Sequence, residues 1–199
     1  SSPSRGLGDV YKRQQFAKAP NPPKVTAVAG DGKVTLYWDR SSEDTKDKYM
    51  GNITDGADLY DFEGYKIYRA TDFEFNDAYN ITDGDGNPTF LEPYVQNGVR
   101  AQWDLIDGKS GWHPVDLNGI KFYLGDETGL VHSYVDNNVV NGQRYYYAVV
   151  SYDYGGDLTN NIIPSDSPMK LRVNPLTGAV SLGPSVVEVV PSPPSAGFV

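Results

Sequence analysis

The sequence predicts an all-β fold, and a few observations support that prediction. Tyr and Gly number 15 and 21 among 199 residues while Met occurs twice, a bias that suits short strands joined by polar turns. Apolar residues recur at every second position, as in Val34, Leu36 and Trp38, which is the period of a half-buried strand. Clusters of Gly, Asp and Asn interrupt these runs and supply the turns.

The length admits one large domain or two small ones, either able to bury a core. Cysteine is absent, so disulfides and thiolate metal sites are excluded and apolar packing must hold the chain together. A formal charge of -9 disfavours nucleic acid, which is bound through clustered Lys and Arg. No apolar run approaches the roughly 20 residues of a membrane span. The first residues lack the apolar centre of a signal peptide, so an export signal is expected outside this sequence.

Residues 1–18 lack periodicity and caps and are expected to form a disordered leader. Within it, Gly6-Leu7-Gly8-Asp9-Val10-Tyr11-Lys12-Arg13-Gln14 resembles translated sequencing-adapter sequence, and residues 1–14 are read as artefactual. Pro20, Pro22 and Pro23 then mark the start of an ordered domain expected over 19–175. Val25, Ala27 and Ala29 alternate with other residues, Gly30-Asp31-Gly32 turns the chain, and Val34, Leu36 and Trp38 resume the alternation, which predicts a hairpin.

Residues 40–61 are hydrophilic and read as a long surface loop. The next strand, 64–69, should turn Tyr65, Ile67 and Arg69 to one face and leave Lys66 and Tyr68 on the other. Residues 71–129 mix turn signals with Phe90, Leu91, Trp103, Leu105, Ile120, Phe122 and Leu124, and are expected to form an insertion with one or two extra hairpins. Val131, Ser133 and Val135, then 144–152, then 169–173 complete the main strands. Residues 176–199 are small and Pro-rich and read as a linker or the start of a following domain, although their valines suit one more strand.

These strands resemble a fibronectin type III domain. Pro22-Pro23 before Val25 is similar to the family's opening, Val34-Thr35-Leu36-Tyr37-Trp38 to its second strand, and Gly64-Tyr65-Lys66-Ile67-Tyr68-Arg69 to its third. Tyr134-Val135-Asp136, then Val140-Asn141-Gly142-Gln143-Arg144-Tyr145-Tyr146-Tyr147-Ala148-Val149-Val150-Ser151-Tyr152, resembles the turn into the penultimate strand, with Tyr145 at the tyrosine corner. The resemblance implies an immunoglobulin-like antiparallel β-sandwich with a long insertion between the third and fifth strands. Its core would hold Val25, Leu36, Trp38, Tyr65, Ile67, Val135, Tyr145, Tyr147 and Val149. Similar enlarged modules are typical of large secreted or surface proteins of Bacteroidetes-like bacteria, which implies an extracellular location and neighbouring domains as partners.

Asp83, Asp85 and Asn87 follow the opening spacing of a calcium loop, but Pro88 and Tyr94 stand where its glycine and bidentate glutamate belong. An irregular calcium site completed by Asp77 or Glu92 and an ion-free tight turn both fit; no other cofactor is expected. Asp44, Asp47, Asp55, Asp58 and Asp61 read as a solvated acidic face. Gly108-Lys109-Ser110 lacks the earlier glycine of a phosphate loop, since Trp103 occupies that position. His132 is expected at the surface, and no nucleophile elbow accompanies the two histidines. The carboxylates fall in turns without an apolar neighbourhood to raise a pKa, so no enzymatic activity is expected. Asn52-Ile53-Thr54 and Asn80-Ile81-Thr82 match the glycosylation pattern, which matters only in a glycosylating host.

Trp103, Trp112, Tyr94 and Tyr123 could form an aromatic platform for a sugar or protein ligand, or a satellite core beneath the insertion, which its length favours. The expected function is a noncatalytic spacer, adhesion or protein-interaction module; the alternative is a carbohydrate-binding accessory module of a secreted hydrolase.

Overall fold

The computed structural model describes residues 17–82, 88–117 and 119–194. The chain folds into antiparallel sheets with almost no helix, as the sequence predicts. Strands β1 (Val25–Gly30) and β2 (Lys33–Trp38) form the expected hairpin, in register from Val25 opposite Trp38 to Gly30 opposite Lys33. Gly32, at φ 61°, makes the turn in a backbone region that glycine enters without cost.

Residues 40–61 are largely turns with half of their residues exposed, as a surface loop requires, but they are not all loop. They contain a short helix, α1 (Lys48–Ile53), whose buried Met50 anchors it and whose N-cap Asp47 accepts from the backbone N–H groups of Tyr49 and Met50 at 2.7 and 3.1 Å. Asp47 also accepts from the Lys18 backbone at 2.5 Å, so Lys18 belongs to the folded body and not to a leader. Ser42, Thr45 and Asp61 are buried as well. Part of the polar composition of this stretch is used in caps and turns, and the rest faces solvent.

Strand β3 (Phe62–Ala70) leads into the insertion, which is built from β4 (Tyr79–Thr82), β5 (Pro88–Leu91), β6 (Val95–Gln96), β7 (Val99–Arg100), β8 (Gln102–Asp104), β9 (Trp112–Leu117) and β10 (Ile120–Tyr123). Among its described residues it holds three hairpins, β4–β5, β6–β7 and β9–β10, more than the one or two expected. The remaining strands are β11 (Ser133–Asp136), β12 (Tyr145–Asp153), β13 (Arg172–Val173), β14 (Val180–Ser181) and β15 (Val186–Val189).

Two sheets share the principal core: three strands in the order β1-β2-β11 and four in the order β15-β12-β3-β8. Val25, Val34, Leu36 and Trp38 from the first pack against Tyr65, Ile67, Tyr145, Tyr147 and Val149 from the second. The last strand of the larger sheet is β15, which pairs with β12 from Tyr145 opposite Val189 to Ala148 opposite Val186. The final sheet strand therefore comes from 176–199, read from sequence as linker or following domain, while 169–173 supplies only the short β13 hairpin with β14.

Val135 is not a core residue: it is 40% exposed, and Tyr134 and Asp136 face inward instead. The phase is set by Asp136, which is fully buried and accepts from the Tyr147 hydroxyl at 2.7 Å, Arg69 at 3.0 Å and Tyr94 at 3.2 Å. A buried carboxylate with this many donors outweighs the preference of one valine for the interior. Tyr145 is buried, and its hydroxyl oxygen accepts from the Val140 backbone N–H at 3.0 Å across the corner before β12.

Candidate functional site

Strands β3 and β12 are buried on both faces, because the insertion and the segment 166–169 cover the side turned away from the principal core. Lys66 and Tyr68, expected in solvent, are thus 6% and 4% exposed. The cover is incomplete and encloses a cleft of about 640 Å³, within the size range of small-ligand sites.

The floor of the cleft is Lys66, Tyr68, Gln102 and Val150. One wall is Tyr79, Phe90 and Leu91 of the β4–β5 hairpin; the other is Trp112, Ile120, Phe122 and Tyr123 of β9–β10; Asp166, bonded to Lys66 and Tyr68 in the floor, and Met169 also line the cleft. Phe90 and Phe122 meet edge to face across the walls at 5.5 Å. Trp112 and Tyr123 are directly opposed in the β9–β10 register, with ring centroids 5.1 Å apart and planes at 67°. Of the three tryptophans only Trp112 is exposed, at 63%, and it lines the cleft.

The polar part of the floor is a closed unit. The Lys66 ammonium lies 3.0 Å from Asp166 and 4.4 Å above the Tyr152 ring, and the Tyr68 hydroxyl donates to the other Asp166 oxygen at 2.9 Å. Burial, with Asp166 beside it, holds the Tyr68 phenol well above its ordinary pKa, so it stays a donor. Gln102 donates to the carbonyls of Tyr123 and Leu124 at 2.9 and 3.0 Å, tying β8 to the β10 end of the wall. At the rim, Arg100 lies 5.3 Å from the Tyr123 ring centroid and 3.7 Å from Glu92. Such a site offers flat apolar rings above and fixed polar groups below, which suits an amphipathic ring.

Gly64 permits this layering. A Cβ there would lie 2.2 Å from the Trp103 carbonyl oxygen and 2.7 Å from the Tyr152 hydroxyl, so only glycine lets β8 pair this closely with β3.

The four aromatic residues singled out from sequence do not form one platform. Trp103 turns to the principal core, 6.0 Å from Trp38 and 5.5 Å from Tyr134, in register with Tyr65. Tyr94 also serves the core, accepting from Arg69 at 2.8 Å and donating to Asp136. Only Trp112 and Tyr123 reach the cleft. Asp83, Asp85 and Asn87 lie outside the described residues. Asp77, a suggested partner for them, accepts from the Thr71 N–H and hydroxyl at 2.9 and 2.8 Å, and Glu92 lies in the cleft wall. Among the described residues no group of three or more His, Asp or Glu side chains is placed to hold a metal.

The acidic face splits too: Asp44 and Asp55 are exposed, Asp58 is half-buried, and Asp47 and Asp61 are buried. His132 is not a free surface side chain; it lies 2.5 Å from Glu43 and packs against Trp38 and Tyr65. The expectation that no carboxylate meets an apolar neighbourhood fails at three positions. Burial pushes Asp61 up to about 8, aided by Asp153 and Asp47, and pushes Glu63 up to about 8, aided by Asp107. Burial likewise raises Asp153 to about 7, against the lowering effect of hydrogen bonds from Ser165. None of these three lines the cleft, and both oxygens of Glu63 are enclosed without a hydrogen-bond partner.

The residues missed from sequence are those of the floor. Their signal was Tyr146, Ala148, Val150 and Tyr152, the apolar second face of β12, which marks a strand covered on both sides. Among the described residues no helix is long and apolar enough to cross a membrane. Comparison with protein-family models, curated proteins and solved structures finds no match to this chain.

Proposed function

We propose that the chain is a noncatalytic, fibronectin type III-like adhesion module of a larger extracellular protein, and that it holds saccharide in the cleft between its insertion hairpins. The observation that carries this reading is the exposed Trp112 beside Tyr123 above a floor of fixed polar groups. A pyranose has one apolar face and a rim of hydroxyls, so stacking on an indole and hydrogen bonding to carboxylate or amide groups can act together. The module reading draws support from the strand that resembles the family's penultimate one lying between the third and the last, and from the hydrogen bond between Val140 and Tyr145. The extracellular location rests on the resemblance to enlarged bacterial surface modules.

A polysaccharide and glycan array probed with the protein and with the double variant Trp112→Ala, Tyr123→Ala tests the reading. The wild type is expected to be retained by at least one glycan, and the variant to lose about tenfold or more in affinity, the scale of a central aromatic anchor. Retention of no glycan, or retention unchanged in the variant, overturns it.

A further inference from the structure

Resting on that reading, we propose that the saccharide is acidic, with its ring on Trp112 and a carboxylate held by Arg100 and Lys121. The charge of the cleft departs from that of the molecule. Against a formal net charge of -9, the lining carries Lys66, Arg100 and Lys121 and only Glu92 and Asp166 as carboxylates. Lys66 and Asp166 neutralise one another in the floor at 3.0 Å. What remains faces the rim: Arg100 and Lys121 against Glu92.

Arg100 is held by Glu92 only in a loose ion pair. Its contact with Glu92, at 3.7 Å, exceeds hydrogen-bond length, and both side chains are partly exposed. The Tyr123 ring 5.3 Å away orients the guanidinium. A guanidinium so placed presents a planar fork matched to the two oxygens of a carboxylate. Lys121 is exposed on the wall, and Asp116, opposite it in the hairpin, accepts from the Gly119 N–H at 2.8 Å. A sugar ring on Trp112 carrying a carboxylate toward Arg100 would meet the apolar and the cationic parts of the rim at once.

The test is affinity electrophoresis and calorimetry with polygalacturonate, with neutral dextran and with dextran sulfate, using the wild type and the variants Arg100→Met, Lys121→Met and Trp112→Ala. Expected are binding of polygalacturonate, weakened about tenfold by Arg100→Met and several-fold by Lys121→Met, together with loss in Trp112→Ala. Weaker binding at higher salt accompanies this result. Equal binding of dextran and polygalacturonate would overturn the acidic preference and leave saccharide adhesion standing. Dextran sulfate bound as well as polygalacturonate, with no loss in Trp112→Ala, would overturn the inference as mere ion exchange. Binding of none of the three overturns it, and the glycan array then decides the broader reading separately. Should Arg100→Met unfold, the exposed Lys121→Met tests the same cationic contact: unchanged affinity for polygalacturonate in that variant overturns the inference.

Discussion

The two sheets are built on opposite plans. In the three-stranded sheet, β2 alternates buried and open positions, and Val28 and Tyr37 on its outer side stand 52% and 51% exposed. In the four-stranded sheet all nine residues of β12 are buried. Strand pairing is the same in both; the difference lies in what lies over the second face. Covering that face turns a two-layer core into three layers and leaves, in the third, a gap wide enough for a ligand.

The largest test of this comparison breaks the link between the sheets. Asp136 of β11 holds Arg69 of β3 and Tyr147 of β12, so Asp136→Ala leaves the buried Tyr147 hydroxyl and the partly buried Arg69 guanidinium without their carboxylate. A loss of about 3 kcal/mol in denaturant unfolding is expected, as for two donors deprived of one charged, buried acceptor.

Next, paired substitutions compare the two outer faces. Val150→Ala on β12, a site 1% exposed, should cost about 2 kcal/mol, while Val28→Ala on β1 should change stability by less than about 0.5 kcal/mol. Equal effects on the unfolding midpoint would mean that the outer face of the larger sheet is open in solution.

The smallest effect concerns acids enclosed by the larger sheet. Asp61, Glu63 and Asp153 have folded pKa values of about 8, 8 and 7, above their unfolded values, so the native state binds extra protons between the ordinary carboxylate range and about pH 8. Their effect on stability is most favourable at low pH, declines as pH rises through that window and levels off above it. Glu63→Met, which removes two enclosed oxygens from among Asp104, Asp107, Lys109 and Glu127, should raise stability at pH 9 by about 1–2 kcal/mol and by less at pH 5. Unfolding midpoints measured across that range check the slope.

Much of the sandwich was legible. The alternation of Val34, Leu36 and Trp38 gave the inward face of β2, because one-sided burial leaves a period of two, and Tyr65 and Ile67 likewise face the principal core although β3 is covered on both sides. The phase of β11 was not legible, since it follows Asp136, whose donors Arg69 and Tyr94 are distant in sequence. Half of the site was visible as Trp112 and Tyr123. The other half, Lys66 and Tyr68, was read as the outer face of a half-buried strand, because a buried lysine needs its carboxylate, Asp166, from 100 residues away, and local pattern cannot supply that pairing.

The margins of the larger sheet have a consequence for how copies of this protein meet. Its outermost strands, β8 and β15, span three and four residues, and just ahead of β15 the Pro184 carbonyl accepts from the Val25 N–H of β1 at 2.9 Å. Few unpaired main-chain groups are left at these margins for another molecule to zip onto, so this sheet should not drive edge-to-edge polymerisation at high concentration.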